Sequence, residues 1–459
     1  MAAQSSTKSM RTFFIIWIGQ LISIIGSGLT GFGLAVWIYQ QTGQATPFAL
    51  TVMFGNIPQV LLSPFAGALV DRWNRRKVMI AADVGSAVVT MAALLLLTMG
   101  QLDVWHIYLV AALNSVLAAF QEPAYTASIT MLVPKKDLTR ANGLMQMGQA
   151  LQMLIAPLLA GILFVAIGLR GIVLIDFITF FFAVGALLLV HIPQPKSASQ
   201  SQADQPKETL WREAAFGCHY LRARRGLLGL LIYFALVNFF LNFSAVLLGP
   251  MILSFGSAAG LGTAQTVGGL GMLVGSIAIS AWGGPQRRIL AVFGFIVLAA
   301  AGLFIAGLKS SVLFIAIGMF VLMFSVPFGS GISQAVFQSK VEPDVQGRVF
   351  SIRTMISRSM MPLAFLLAGP LADQVFEPLL REGGALAASW VGNLVGTGPG
   401  RGIGALFLIS AVVLWIASAF AFANPHIRNI ETELPDAISE EENEDKISEE
   451  EAVLGLETA

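Results

Sequence analysis

Read for hydrophobic and polar positions, the chain alternates long apolar runs with short polar breaks. The runs fall at residues 12–39, 46–70, 78–99, 104–127, 142–168, 171–191, 226–249, 259–282, 289–307, 311–336, 350–372 and 403–424. Each is close to or above the ~20 residues a helix needs to cross the hydrocarbon core of a bilayer. The pattern predicts an all-α membrane protein with twelve transmembrane helices. The widest polar break, residues 192–225, is rich in Pro, Ser and Gln and ends in a short amphipathic stretch. It predicts a cytoplasmic linker joining a six-helix bundle over 1–191 to a second over 226–425.

Charge orients this pattern. With both termini on one side, that side collects 23 of the 27 Lys and Arg residues, and the other only Arg170, Lys309, Arg381 and Arg401. By the positive-inside rule the termini are cytoplasmic. Lys8 and Arg11 precede the first run as in a secretory leader, but the run continues to about residue 40, too long for a signal core, and predicts a first helix that stays. Residues 426–459 hold 12 of the 26 acids and two bases, leaving 14 acids against 25 bases, a net +11, in the body. Such an acidic tail reads as a solvated, disordered segment.

The two bundles echo each other. "WNRRKVMI" after the second run has a counterpart in "GGPQRRILAV" after the eighth, aligning Arg75 and Arg76 with Arg287 and Arg288. "VPKKDLTRANGLMQM" before the fifth is echoed by "VEPDVQGRVFSIRTM" before the eleventh, aligning Arg140 with Arg348. The offsets, 212 and 208 residues, nearly agree and support duplication of a six-helix unit into pseudo-symmetric halves.

Composition removes other classes. The chain is 56% hydrophobic and 12% charged, about half the charge of a soluble domain. Its single cysteine, Cys218, rules out an intramolecular disulfide, and four histidines without ligand spacing predict no metal site. No clustered nucleophile, base or metal set suggests an enzyme, and nothing calls for a cofactor or nucleic acid.

"GALVDRWNRRK", residues 67–77, places an acid and a basic cluster between two apolar runs. It resembles the loop 2–3 signature of the major facilitator superfamily. "FQEPAYTASITMLVP", "LTRANGL", "QGRVFSIR" and the external "PLADQVFEPLLREGGALAA" resemble that superfamily's bacterial macrolide efflux branch. The resemblance implies a cytoplasmic gate in which Asp71, with Arg72, Arg75 and Arg76, latches against the start of span eleven, where Arg348 or Arg353 is the partner. Topology alone also accounts for Arg75, Arg76 and Lys77. Span five, "GQALQMLIAPLLAG", resembles the Gly-Pro motif of drug:proton antiporters; Pro157 and Gly161 remain, while Ala156 and Ala160 stand where glycines are typical. Pro157, Gly161, Gly271 and Gly275 are expected at helix packing surfaces. The superfamily's span-four arginine is absent.

A charge at mid-bilayer costs about 2.5–3.5 kcal/mol on insertion scales, so each intramembrane acid is a functional candidate. Glu122, before Pro123 in span four, is the leading proton carrier, since burial there would tune it toward physiological pH. Asp83 and Asp176 are further proton-coupling candidates, with structural pairing as the alternative for both and for Arg358. By resemblance, spans one, four, seven and ten face a central cavity. They offer Trp17, Gln20, Asn114, Gln121, Tyr233, Asn238, Asn242, Met323 and Gln334 as substrate contacts. With no interior Lys or Arg on these spans, an anionic metabolite is disfavoured, and aromatics, methionines and amides suit a bulky amphipathic molecule.

The resemblance thus implies a monomeric exporter in a bacterial cytoplasmic (inner) membrane. It would move a hydrophobic or amphipathic small molecule, a macrolide-like drug first, by alternating access and proton antiport. Its partners are that substrate, protons and the bilayer. The alternatives are export of an endogenous product, such as a siderophore or lipid-like metabolite, and a non-transporting sensor acting through the acidic tail.

Overall fold

The computed structural model describes residues 10–70, 73–133, 138–190, 220, 222–282, 287–341 and 343–433. Among them, eleven helices are long and apolar enough to cross a membrane. One of the eleven, Leu138–Leu189, is 52 residues long and holds Gly168 at φ 66°, ψ −178°. A positive φ with extended ψ is open to glycine and strained for other residues. The chain reverses there, as its neighbours on the first helix show. It rises with Gly148 beside Trp17 and Ala156 beside Gly28, then descends with Ile172 beside Gly33, Asp176 beside Gly26 and Ala186 beside Gly19. Two limbs, residues 138–167 and 169–189, therefore make separate passes, and the passes number twelve.

We label these α1 (Met10–Thr42), α2 (Ala45–Val70), α3 (Arg75–Thr98), α4 (Val104–Leu132) and α5 and α6 (the two limbs) in the first half. The second half comprises α7 (Arg225–Leu253), α8 (Ala258–Trp282), α9 (Arg288–Leu308), α10 (Val312–Lys340), α11 (Pro343–Pro370) and α12 (Arg401–Ala423). All described regular structure is helical.

Lipid gives no hydrophobic drive for one helix to leave it for another, so small residues and close backbone approach hold the bundles together. On α1, Gly19, Gly26 and Gly33 recur every seven residues and form one stripe along α6; a Cβ at Gly19 would fall 2.7 Å from that of Ala186. In the second half, Gly302 of α9 and Gly318 of α10 meet backbone to backbone, and Gly271 and Gly275 of α8 lie against the Phe320 and Phe324 carbonyls of α10.

The acidic tail, expected to be free from residue 426, starts as a docked strap. Pro425–Arg428 and Ile430–Glu433 form short helical turns with Ile427 and Ile430 buried. Both isoleucines pack at Gly229 and Gly226 of α7. The Glu431 carboxylate accepts from the Arg288 N–H (2.9 Å), capping α9, and Lys340 Nζ donates to the Glu431 carbonyl (2.7 Å). Two apolar anchors and a helix cap outweigh the local acidity that the sequence shows. Residues 434–459 and nearly all of 192–225 lie outside the described residues.

Candidate functional site

The two halves enclose a cavity of about 460 Å³. Its wall combines Gly28, Gly31, Phe32 and Ala35 of α1 with Phe48 and Val52 of α2 and Gln152, Met153, Ala156 and Pro157 of α5. The second half adds Ala245, Val246 and Gly249 of α7, Leu261 and Gln265 of α8, and Phe365 of α11. Three phenylalanines and a methionine supply soft apolar area, and no lining residue is charged. Gln152 and Gln265 are the two amides. Gln152 donates to the Ile24 carbonyl (3.3 Å), whereas the Gln265 side chain makes no hydrogen bond among the described residues.

None of the nine residues expected from spans one, four, seven and ten lines this cavity. Trp17 Nε1 donates to the Leu144 carbonyl (2.9 Å), tying α1 to α5. Tyr233 shares a 2.7 Å hydrogen bond with Ser418 inside the second half. Asn238 and Asn242 bond back to carbonyls four residues earlier on α7. The Asn114 carbonyl oxygen is buried without a partner, and Met323 packs over Gly268. Gln334 accepts from Arg353, and Gln20 and Gln121 converge on Asp83. Trp17, Gln20, Gln121, Tyr233 and Gln334 thus tie helices together within a half, Asn238 and Asn242 bond within their own helix, and the cavity belongs to small residues and aromatics at the seam between halves.

That seam is closed at the end of the bundle opposite the chain termini. On one side, Gly161 of α5 meets the Ala258 carbonyl, Gly262 of α8 meets that of Pro157, and Thr266 Oγ1 donates to the Leu154 carbonyl (3.2 Å). On the other, Gly369 of α11 lies against the Thr46 backbone and Gly249 of α7 against the Phe48 ring. Here Asp373 crosses between the halves. Its carboxylate accepts from the backbone N–H of Ala45 (2.8 Å) and Thr46 (2.7 Å) and from Thr46 Oγ1 (2.6 Å). The start of α2 has no Ser, Thr, Asp or Asn at its cap position, Gln44, so its unpaired N–H groups take a carboxylate from the other half. Asp373 sits in a π-helical turn, Leu371–Phe376, that extends α11. One turn on, Glu377 accepts from Gly400 N–H and Ile403 N–H (both 3.2 Å), capping α12. Sequence reading placed "PLADQVFEPLL" in an external loop and missed both caps; the uncapped start of α2 was the available signal.

Buried charge elsewhere is divided by sign. Asp83 of α3 and Asp176 of α6 are each 1% exposed. Asp83 accepts from Gln20 Nε2 of α1 (3.0 Å) and Gln121 Nε2 of α4 (2.5 Å), and Gln121 Nε2 also reaches Gln20 Oε1 (3.1 Å). Asp176 accepts from Ser27 Oγ of α1 (3.2 Å). No described base pairs with either. Glu122, expected to be buried, is exposed and accepts from Gln59 Nε2 of α2 (2.8 Å). Adjacent helical residues point about 100° apart, so Gln121 turning inward to Asp83 turns Glu122 outward.

Of the expected gate, Asp71, Arg72 and the side chain of Arg348 lie outside the described residues, as does the side chain of the intramembrane Arg358. Arg75 Nη1 donates to the Ala127 carbonyl of α4 (2.8 Å), and Arg76 to the Leu187 and Leu188 carbonyls ending α6 (2.8 and 2.9 Å). Arg76 thus caps the end of α6, complementing its dipole, and Arg75 ties α3 to α4, both within their own half. Arg353 reaches α10, donating to Gln334 Oε1 (2.6 Å) and Ser333 Oγ (3.2 Å) with its guanidinium 4.5 Å from the Phe337 ring.

Comparison with known proteins agrees with this architecture. Residues 16–365 match the family model of the Major Facilitator Superfamily. The chain is 30% identical over 371 residues to macrolide efflux protein A of Streptococcus pyogenes, covering 79% of this chain and 90% of that protein. It is 25% identical to the multidrug efflux pump Tap of Mycobacterium bovis, covering 78% and 87%. Its fold is similar to a bacterial homologue of the human lysosomal transporter Spinster, solved inward-facing and unoccupied (TM-score 0.65, 16% identity, 92% and 97% covered). It is also similar to a bacterial homologue of the iron transporter ferroportin in an inward-facing state (TM-score 0.62, 15% identity, 90% and 98% covered).

Proposed function

The chain belongs to the Major Facilitator Superfamily, and from that premise we propose that it exports a bulky amphipathic small molecule, a macrolide first, by alternating access and proton antiport across a bacterial cytoplasmic membrane. The observation that carries the substrate class is the cavity wall: aromatic and small apolar residues from both halves, two amides and no charge. Such a wall binds by shape and dispersion, and it offers an anionic metabolite no counter-charge. Gln265, with its amide unengaged, is the group placed to hydrogen-bond a carbonyl or hydroxyl of the cargo. The efflux relatives support the direction of transport.

With the termini cytoplasmic, the closed seam is the external one and the cavity is reached from inside, the state that loads an exporter's cargo. Release then requires the Asp373 contacts to α2 to break and the cytoplasmic side to close. Proton entry supplies the bias between these states. Asp83 is the coupling acid, because it is buried with no described base beside it and bonded to two helices, α1 and α4, of the first half.

The test is accumulation of radiolabelled erythromycin in energised cells, with and without an uncoupler. Wild type should accumulate less than the empty vector, and the difference should vanish with the uncoupler. Gln265→Leu should weaken efflux several-fold with expression unchanged. Equal accumulation in wild type and empty vector despite confirmed expression would reject the macrolide and direct the search to an endogenous amphipathic product.

A further inference from the structure

We propose that Gln20 and Gln121 form an amide clamp that reads the proton on Asp83 and passes its presence to α1 and α4. The inference rests on the proton-antiport reading above and names the residues through which the proton acts.

The chemistry follows from donor and acceptor counts. A carboxylate only accepts hydrogen bonds, whereas a carboxylic acid donates one. In this structure both oxygens of Asp83 receive amide N–H groups, Oδ2 from Gln20 and Oδ1 from Gln121. Gln121 also donates to Gln20 Oε1, which closes a triangle across three helices. This is the geometry of the anion. An O–H directed along either of these bonds sets donor against donor, in a site with Asp83 1% and Gln20 3% exposed. Asp83 and Gln20 cannot turn to water, so that arrangement carries the cost of a buried unpaired polar group. Relief requires one glutamine to rotate its amide and present oxygen. Turning Gln121 removes its bond to Gln20; turning Gln20 removes the oxygen that Gln121 reaches. Either way protonation opens the triangle.

The helices so released are the ones transport needs. α1 carries Gly28, Gly31 and Phe32 of the cavity wall. α4 holds α2 through Ser115 Oγ, which accepts from Gln59 N–H (3.0 Å), and through Glu122, which accepts from Gln59 Nε2. α2 in turn carries Phe48 of the wall and the N-terminus gripped by Asp373. A chain of direct contacts thus links the proton site to both the cargo site and the external seam. Among the described residues no other titratable side chain enters the triangle from the packed helices: Glu122 of α4 turns to Gln59, and Asp176 of α6 bonds Ser27.

Gln20 and Gln121 are positioning residues; the proton resides on Asp83. The test uses purified full-length protein in proteoliposomes with radiolabelled erythromycin, measuring transport across a range of external pH and, separately, exchange of labelled for unlabelled drug. Asp83→Asn should lose the response to pH while retaining exchange. Gln121→Met and Gln20→Met remove a donor to the carboxylate without removing the acid. They should move the midpoint of the pH profile upward by about one unit and, with the link to α1 or α4 cut, lower the maximal proton-driven rate while sparing drug exchange. Gln121→Asn, which keeps the amide and shortens its reach, should give a smaller shift and serves if the methionine variants do not fold. A pH-insensitive Asp83→Asn beside glutamine variants with the wild-type profile overturns the clamp and leaves Asp83 as carrier. A wild-type pH response in Asp83→Asn overturns both assignments. Drug exchange by wild type with no pH-driven transport overturns the antiport reading itself.

Discussion

The two halves descend from one six-helix pattern, yet they bury opposite charge. The first half holds Asp83 and Asp176, each satisfied by neutral donors, two glutamine amides for one and the Ser27 hydroxyl for the other. The second half holds bases. Arg353 bonds Ser333 and Gln334, Lys340 bonds the Glu431 carbonyl, and Arg401, 3% exposed, donates to the Val395 carbonyl (2.8 Å). A carboxyl among neutral donors can exist with or without its proton, whereas a guanidinium keeps its charge under all physiological conditions. Among the described buried side chains, the acids fall in the first half and the bases in the second, while the second half's carboxylates, Asp373 and Glu377, are half-buried helix caps.

The contrast yields graded expectations. The largest effect belongs to Asp83→Asn, which removes the titratable group while keeping its shape. Uncoupler-sensitive erythromycin efflux should fall at least about tenfold, with protein levels unchanged on an immunoblot. Next comes Asp373→Asn at the external seam. Losing charge-assisted bonds to Ala45 and Thr46 should shift the opening equilibrium by about tenfold, read by spin-label distances between the outer ends of α2 and α11. Thr46→Val, which keeps both backbone bonds, should shift it less.

A smaller change should follow Arg353→Lys, which preserves charge and loses the paired contacts to Ser333 and Gln334. Transport should drop by about threefold with the midpoint of the pH profile unmoved. A moved midpoint would break the division between halves. Asp176→Asn should be milder still, lowering thermal stability by a few degrees and leaving coupling intact, because its bond reaches a single serine on α1. The tail gives a control within the second half. Removing residues 434–459 should leave transport and stability near wild type. Cutting back to residue 424 also removes Ile427, Ile430 and the Glu431 cap, and should lower the midpoint of thermal unfolding by about 5 °C.

Much of the architecture was legible from hydropathy alone. The run boundaries near residues 168–171 anticipated the reversal at Gly168, where the polar break is only a few residues long. What was not legible was the rotation of each helix. Gln121 and Glu122 are neighbours, and the sequence favours the acid as proton carrier. The structure turns the amide inward to Asp83 and the acid outward to Gln59. Polarity also pointed away from the cavity at the seam. Asn238 and Asn242 spend their amides on the α7 backbone, whereas the cavity wall is built of Gly28, Gly31, Ala35 and phenylalanines that look like ordinary packing residues in sequence. Asp373 was hidden for another reason: its partners, Ala45 and Thr46, lie more than 300 positions away and are chiefly backbone groups.

The most direct test of the account is drug-driven proton release in everted membrane vesicles. A pH gradient, acid inside, is established by respiration and followed with a quenched acridine dye, and erythromycin is then added. Wild type and Arg353→Lys should restore fluorescence as drug enters and protons leave, and Asp83→Asn vesicles should not respond. An equal response from Asp83→Asn, or none from wild type that binds the drug, would contradict an exporter driven by a proton in its first half.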